Sequence, residues 1–362
     1  MRKRNLLAIC VLLTSSPVFA QSSVTLSGIM DAGISYISNE SGHSNTKFDD
    51  GIAFPNILRL TGREDLGGGT TAIFELMDQY SIGTGSILPG QSLFSRTAYV
   101  GLDDRSLGKL TLGNQYDFMT DSLTFGFNDA ATFPGVGLYG FRNGPFNKLA
   151  IPGNPTGAFD WDRMAGERIQ NSVKYLTPTF AGFSAGAMYS FGGVPGSIGA
   201  NNACSFALNY SAGPAGFNAA YTNVKYPVAQ SQLSIQNWGV GGHYTFGKLR
   251  TIALFTTVRN SANHAAIWEG QVGALYQIDA AWAVSANYMY MDGNAALSNN
   301  HANQGTATLS YTLSKRSTVY LTGVYQRANS GANALINGIT TPNGSSSSPN
   351  QFIARVGFET EF

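Results

Sequence analysis

The chain has 362 residues with 43 glycines, 12% aromatic residues, 12% charged residues and a formal net charge of +1. The charged share is about half of the usual value, and a nearly neutral chain lacks the basic field that draws proteins to nucleic acid. After residue 20 the sequence contains no apolar run of about eighteen or more residues, which excludes a membrane-spanning helix. This combination favours a closed membrane β-barrel.

The first twenty residues have the features of a secretory signal peptide. A basic start at 2–4 is followed by an apolar run at 6–13 and by a small residue, Ala20, at a plausible cleavage site. We therefore expect residues 1–20 to be a signal peptide and 21–362 to form one outer-membrane barrel domain. An uncleaved N-terminal anchor is the alternative.

Segments of alternating polarity recur along the rest of the chain. The first places Val24, Leu26 and Ile34 on one face and Asp31 on the other, as the period of two in a strand requires. The second face of these segments carries Ser, Thr, Asn and Gln, which suits a wet lumen better than the exterior of a soluble sandwich. We count sixteen such segments, among them KLTLGNQY, GFSAGAMYSF, GFNAAYTN, IWEGQVGALYQI, WAVSANYMY and TATLSYTL.

The connections between these segments alternate between short and long. Short periplasmic turns and long external loops are typical of outer-membrane barrels, and an even strand number places both termini in the periplasm. The short ones are EDLGGG, DDRSLG, TPTFAG, SAGPAG, FGK, DAA and SKRS; the long ones include 38–56, 80–92, 116–166, 192–202, 224–236, 291–304 and 327–350.

The third long connection, 116–166, is by far the longest and is rich in Gly, Pro and Phe. A loop of this length is usually functional. A sixteen-stranded barrel leaves an aqueous channel, and this loop would narrow the channel if it folded into the lumen. We expect that arrangement, with an external lid as the alternative.

One cysteine, Cys204, follows residue 20, and the four histidines are scattered along the chain. We therefore expect no disulfide within the chain, no metal site and no cofactor. The segment DLGGGT (65–70) matches a phosphate-binding turn, but it follows an alternating strand in an exported chain, and we interpret it as a tight turn.

The chain resembles the general diffusion porins of Gram-negative bacteria, in particular their beta-proteobacterial branch. The segments that carry the resemblance are SSVTLSGIMDAGISYIS, LTGREDLGGGTTAIFEL, RTAYVGL, GKLTLGNQYD and NSVKY, together with the terminal Phe362. The resemblance implies a sixteen-stranded homotrimer in outer-membrane lipid, an inward-folded third loop, and passive diffusion of ions and small hydrophilic solutes. It also implies that the last strand, ARVGFETEF with Phe358 and Phe362, is the signal read by the barrel-assembly machinery.

The resemblance further implies a basic barrel wall that faces acidic residues of the third loop. Alternation places the candidate basic residues on the inner face, and the loop supplies the acidic candidates. Opposed charges across a narrow gap would sieve polar solutes. The basic candidates are Arg59, Arg63, Arg96, Arg168 and Lys174, and the acidic candidates are Asp117, Asp121 and Asp129.

The two arginines of the second strand fit the family pattern loosely. Porins commonly carry arginines where this chain has Ile57 and Thr61, so Arg59 and Arg63 are displaced by one pleat. Arg63 is also close enough in sequence to pair with Glu64 or Asp65 near the rim.

Two alternatives to a general diffusion channel remain at this point. One is a substrate-specific channel of the same architecture, for which saturable flux would be the test. The other is an outer-membrane barrel hydrolase, but no Ser-His-Asp arrangement can be recognised from spacing alone. We expect a channel and no enzyme.

Overall fold

The computed structural model describes residues 22–87, 92–124, 137–146, 149, 168–228, 231–339 and 344–362. The expected signal peptide, 1–20, lies outside the described residues, as do large parts of the third loop. Among the described residues, no helix is long and apolar enough to cross a bilayer.

Within these residues, strands account for most of the chain. The strands are β1 (Ser23–Glu40), β2 (His43–Asp50), β3 (Ile57–Gly67), β4 (Thr70–Gln79), β5 (Thr97–Asp104), β6 (Gly108–Tyr116), β7 (Arg168–Leu176), β8 (Phe183–Ser190), β9 (Ala203–Ala212), β10 (Ala215–Val228), β11 (Ser231–Phe246), β12 (Leu249–Asn260), β13 (Ala266–Gln277), β14 (Trp282–Gly293), β15 (His301–Ser314), β16 (Ser317–Ala328) and β17 (Asn350–Glu361). A π-helix covers Met119–Thr124, and single 3-10 turns cover Gly137–Gly140 and Ala295–Leu297.

The strands form one closed antiparallel sheet. From β3 to β17 each strand pairs with the next, and β17 pairs with β1, for example at Ile34 and Val356. Both β2 and β3 pair with β1, so they share one barrel position. The seventeen described strand segments therefore make sixteen barrel positions, which confirms the predicted sixteen-stranded antiparallel barrel.

The second barrel position is broken at 51–56, between β2 and β3. The break is held by Asp31 of β1, whose carboxylate Oδ2 accepts hydrogen bonds from the Ile52 and Ala53 amides at 2.7 and 3.0 Å. The Asp31 amide in turn donates to Asn56 Oδ1 at 2.8 Å. The side chains of Ile52 and Ala53 are buried, so the break is a packed part of the barrel.

Two of the predicted long loops are largely strand. The interval 38–56 contains the end of β1 and all of β2, and the two are joined through Ser41 and Gly42, which both have positive φ. The interval 224–236 contains the ends of β10 and β11, which pair from Val224 and Ile235 onward. Extended hairpins satisfy their own backbone hydrogen bonds, and this explains why polar sequence there still forms strands.

The two faces of the sheet differ as the alternation predicts. On β17, Val356 and Phe358 are exposed, whereas Gln351 and Arg355 on the opposite face are buried. In a closed barrel the exposed apolar face is the outer one, and it meets lipid. Aromatic pairs near the short turns, such as Trp282 with Tyr311 at 4.7 Å between ring centroids, form part of an interfacial girdle.

The C-terminal residue closes the barrel against the first strand. The Phe362 amide donates to the Gly28 carbonyl at 3.0 Å, and the Gly28 amide donates to the Phe362 carbonyl at 3.1 Å. A Cβ on Gly28 would lie 2.3 Å from Cζ of the Phe362 ring, so only glycine leaves space for it. The terminal aromatic residue therefore has a defined position against β1 in the folded barrel.

Candidate functional site

Three arginines from three barrel positions lie close together on the inner wall. Arg59 lies on the face of β3 opposite the exposed Leu58, Arg96 immediately precedes β5, and Arg168 begins β7. Arg59 and Arg168 both lie within coulombic range of the Arg96 guanidinium. The sequence analysis predicts each of these residues as a basic wall residue, and the consecutive pairing of β3 to β7 brings all three to one part of the wall.

Arg96 is the most firmly held of the three. Its side chain is buried, Nε donates to the Tyr116 hydroxyl at 2.6 Å, and Nη1 donates to Gln79 Oε1. The guanidinium carbon also lies 5.7 Å from the centroid of the Tyr116 ring. These partners are neutral, so they orient the positive charge without cancelling it.

Glu75 of β4 forms an ion pair with one member of this arginine group, Arg59. Glu75 Oε2 lies 3.7 Å from Arg59 Nε, a long contact between partly exposed side chains. Glu75 Oε1 also accepts a hydrogen bond from the Thr97 hydroxyl at 2.9 Å. An ion pair of this geometry is weak, so Glu75 offsets only part of the charge of the arginine group.

Lys174 of β7 pairs with the first arm of the third loop. Its ammonium forms a short ion pair with Asp121 of the π-helix and donates to the Tyr116 carbonyl at 2.6 Å. It also lies 4.6 Å from the centroid of the Phe118 ring. The sequence predicts Lys174 and Asp121 on opposite sides of a gap, but the two side chains are in direct contact, because the loop begins with a π-helix whose Asp121 comes within reach of the Lys174 ammonium.

Asp117, the second acidic candidate, is buried where the chain leaves β6. Its Oδ1 accepts hydrogen bonds from the Thr120 amide and hydroxyl at 3.1 and 3.2 Å, so the carboxyl caps the start of the π-helix. Burial raises the pKa of Asp117 to about 6. Asp117 therefore has a local structural partner instead of a place opposite the arginines. Asp129, the third candidate, lies outside the described residues.

The π-helix packs against the inner faces of strands that follow β7 and β8 around the barrel. It contacts β9, β10 and β11, and the Phe118 amide donates to Ser205 Oγ at 2.9 Å. Ser205 is buried and lies on the face of β9 opposite the exposed Phe206. Leu123 approaches Gly239 of β11 so closely that a Cβ there would lie 2.8 Å from Leu123 Cδ1.

Arg63 lies apart from the arginine group. Its nearest acidic partner is Asp103 of β5, with 3.6 Å between Nη2 and Oδ2, and more than half of its side chain is exposed. The partner differs from the Glu64 and Asp65 considered from sequence, because Asp103 is brought beside Arg63 by two strand pairings. Arg63 therefore resembles a rim residue near the short turns.

One charged cluster on the inner wall was missed by the sequence-based reasoning. Arg355 of β17 has a fully buried side chain that pairs with Asp31 of β1 and Asp49 of β2. Alternation places Asp31 on the polar face of the first strand, which is a usable signal. The partnership of Asp31 with Arg355 depends on the pairing of the first strand with the last, which no local pattern reveals.

Metal binding finds no support among the described residues, where no group of three His, Cys, Asp or Glu side chains could hold an ion. The single described cysteine, Cys204, is free and partly exposed.

A closed antiparallel barrel with an apolar outer face, a polar inner face and charged side chains on its inner wall defines a channel-forming protein of the outer membrane. The profile of the Gram-negative porin family matches residues 6–331, so the chain belongs to that family. It is an integral outer-membrane barrel through which small solutes diffuse passively.

Individual relatives agree with this assignment. The chain is 29% identical over 328 residues to outer membrane porin protein 32 of Delftia acidovorans, with 88% of each chain covered. It is 29% identical over 274 residues to an outer membrane porin of Bordetella pertussis, covering 67% of this chain and 66% of that protein. Among solved structures, an anion-selective porin from Comamonas acidovorans superposes with a TM-score of 0.79 at 23% identity, covering 94% of this chain and 100% of the other.

Proposed function

We propose that the third loop enters the lumen and narrows the channel beside the arginine group, and that the channel favours anions. The observation that carries the proposal is the placement of Arg59 and Arg168 within coulombic range of the Arg96 guanidinium on the inner wall. Side chains of like charge repel one another, so neighbouring groups must hold them in position. Tyr116 and Gln79 hold Arg96 in this way through hydrogen bonds.

The charge balance at this level supports an anion preference. Asp121 is neutralised by Lys174, and Asp117 is buried in its helix-capping role. Glu75 contacts Arg59 at 3.7 Å and is shared with Thr97. Arg96 has neutral hydrogen-bond partners and Arg59 has only this long contact, so the positive charge of these two arginines outweighs the described carboxylate beside them. A fixed positive charge in a narrow pore attracts a passing anion and repels a cation.

The contacts of the loop support its place in the lumen. The π-helix packs on β9, β10 and β11, and the carbonyl of Tyr139 accepts a hydrogen bond from Gln304 of β15 at 2.5 Å. Both sets of contacts involve buried side chains on strands whose outer faces are apolar. The third loop starts at the end of β6 and contacts both β9–β11 and β15. We therefore propose that it crosses the interior of the barrel.

The remaining parts of the proposal follow the resemblance to porins. The protein would act as a homotrimer in outer-membrane lipid with both termini in the periplasm. The barrel-assembly machinery would insert it by reading the last strand, and the protein would carry no catalytic activity.

The test is a planar-bilayer measurement on purified protein across a tenfold KCl gradient. We expect stepwise channels whose reversal potential has the sign of chloride preference. A cation-selective reversal potential would contradict the role given to the arginines, and an absence of channels would contradict the whole proposal. Conductance that saturates with one added solute would instead identify a substrate-specific channel.

A further inference from the structure

We propose that a buried charged cluster at the seam of the barrel positions the return arm of the third loop and thereby sets the width of the constriction. The seam cluster consists of Asp31, Asp49, Tyr320 and Arg355, and the return arm is the 3-10 turn Gly137–Gly140. This inference rests on the proposed channel function, and it assigns to these residues a positioning role in that function.

The seam cluster is a compact and fully buried ionic network. Arg355 Nη2 lies 3.1 Å from Asp31 Oδ2, Nη1 forms a short ion pair with Asp49, and Nε donates to the Tyr320 hydroxyl at 2.8 Å. The Tyr320 hydroxyl donates to the other carboxylate oxygen of Asp31. Removing one partner of such a network leaves an uncompensated buried charge, so each member holds the others in place.

The cluster joins the strands at which the barrel closes. Asp31 lies on β1, Asp49 on β2, Tyr320 on β16 and Arg355 on β17, so the network spans the contact between the first and last strands. Regular backbone pairing already runs along this seam from Ile29 to Ile37. Strand pairing alone would therefore close the barrel, and the network provides something further.

What it provides is a fixed conformation of the break at 51–56. Asp31 Oδ2, the oxygen nearest Arg355 Nη2, also accepts the amides of Ile52 and Ala53. The Gly51 amide donates to the Asp31 carbonyl at 2.9 Å, and the Asp31 amide donates to Asn56. One charged residue thus binds both ends and the middle of a segment that belongs to no strand.

The return arm docks directly on this break. The Leu138 amide donates to the Ile52 carbonyl at 2.8 Å, so Ile52 links Asp31 on one side to the loop on the other. Gly137 has a φ of +54°, and a Cβ there would lie 2.2 Å from the Ile52 carbonyl oxygen. A side chain cannot fit in this space, so the close approach requires glycine.

Two side-chain amides, one on β15 and one in the connection between β16 and β17, hold the far side of the same arm. Asn337 Nδ2 donates to the Leu138 carbonyl at 3.0 Å, and Gln304 Nε2 donates to the Tyr139 carbonyl. The side chain of Tyr139 is buried and lies within hydrogen-bonding range of Ser35, which also contacts Arg355. The arm is therefore clamped between the break and β15, and a shift of the break would move it.

The test compares two variants that disturb the series of contacts from the seam cluster through Ile52 to the return arm. One variant acts at the seam cluster and the other at the return arm. Asp31→Asn keeps the shape of the side chain but removes the charge that holds the break. Gly137→Ala leaves every charge in place and disturbs the contact of the arm with Ile52 and Ala53 of the break. Asn218→Ala is the control, because it removes a buried hydrogen bond of 2.7 Å between β10 and β9 that does not involve the arm.

We expect both variants, and not the control, to raise single-channel conductance by about 1.5-fold or more, since conductance follows the open cross-section at the narrowest level. Both should also admit larger neutral polymers into the pore. Because they act through one contact, the double variant should change conductance no more than the stronger single variant. The position of the unheated band on a detergent gel reports barrel integrity separately, and we expect it to stay unchanged for Gly137→Ala.

The outcomes separate this inference from the proposed function. If the wild-type protein forms no channels, the proposed function fails. If it conducts but Gly137→Ala leaves conductance and polymer exclusion as in the control, the seam cluster does not position a constriction. Should Asp31→Asn fail to insert, Gly137→Ala and the milder Tyr320→Phe decide the question alone.

Discussion

Replacing Arg96 and Arg168 together by alanine should shift the selectivity of the channel toward cations. Both side chains belong to the arginine group on the inner wall, and Arg96 is held there by Tyr116 at 2.6 Å. The double variant removes two fixed positive charges and leaves the carboxylates of Glu75 and Asp121 in place. The loss of positive charge weakens the attraction for anions and the repulsion of cations at the same time.

The size of the shift can be worked out from Coulomb's law. An ion that passes about 10 Å from one arginine in water feels about 0.4 kcal/mol. Screening at 0.1 M salt, where the Debye length is about 10 Å, reduces this to about 0.15 kcal/mol. Two arginines acting with opposite sign on anion and cation change the ratio of their permeabilities by about 0.6 kcal/mol, or about threefold. Burial of Arg96 lowers the local dielectric constant, so the figure for water is a lower bound.

The assay is the reversal potential across a KCl gradient whose dilute side is at or below 0.1 M. The matched control is the double variant Arg105→Ala with Arg316→Ala, which removes the same charge from exposed positions in two short turns. We expect a shift for the first pair and almost none for the control, and the shift should shrink when both sides are near 1 M, where the screening length is about 3 Å. An unchanged potential at low salt, or an equal shift in the control, would refute the placement of these arginines at the constriction.

Three further outcomes are expected. Burial raises the pKa of Asp117 to about 6, so the folded barrel binds this proton more tightly than the unfolded chain. Stability from this group is therefore present below its unfolded value near 4 and is lost as pH rises through about 6, and an Asp117→Asn variant should show a flatter dependence of its unfolding midpoint between pH 4 and 7. Deleting Phe362 removes the ring that packs on Gly28 and both backbone hydrogen bonds to it, so outer-membrane levels should fall while export to the periplasm continues; wild-type levels would contradict the role of the last residue. The purified protein should migrate as a trimer in mild detergent without heating, and light scattering that gives the mass of one chain would exclude the homotrimer.

Much of the barrel can be predicted from sequence because its pattern is local. A strand in a membrane barrel has lipid on one side and water on the other, so the polarity of each side chain matches the side that it faces. The period of two is therefore visible in a single segment. Val356 and Phe358 on the outer face and Arg355 on the inner face follow from that period alone. The bounds of the third loop are equally local: β6 ends at Tyr116 and β7 begins at Arg168, against a predicted loop of 116–166.

The candidate site could be predicted only in part. Alternation and the resemblance to porins identified Arg59, Arg96 and Arg168 individually, and the structure brings them together. Lys174 and Asp121 are predicted on opposite sides of the channel, whereas they form an ion pair. Periodicity misses this contact because it does not encode the direction in which a loop leaves its strand. Asp117 was assigned to the pore for the same reason, although it caps the π-helix.

The sequence by itself determined that the chain forms strands, which side of each strand meets lipid, and that a long segment separates the fifth and sixth of the sixteen barrel strands. The tertiary structure alone decided that the second barrel position is broken at 51–56, and that Arg355 near the end of the chain meets Asp31 near its beginning. Those contacts join residues more than 300 positions apart. They exist only when the sheet closes, because closure and register determine which inward side chains become neighbours, and neither is a property of any single segment.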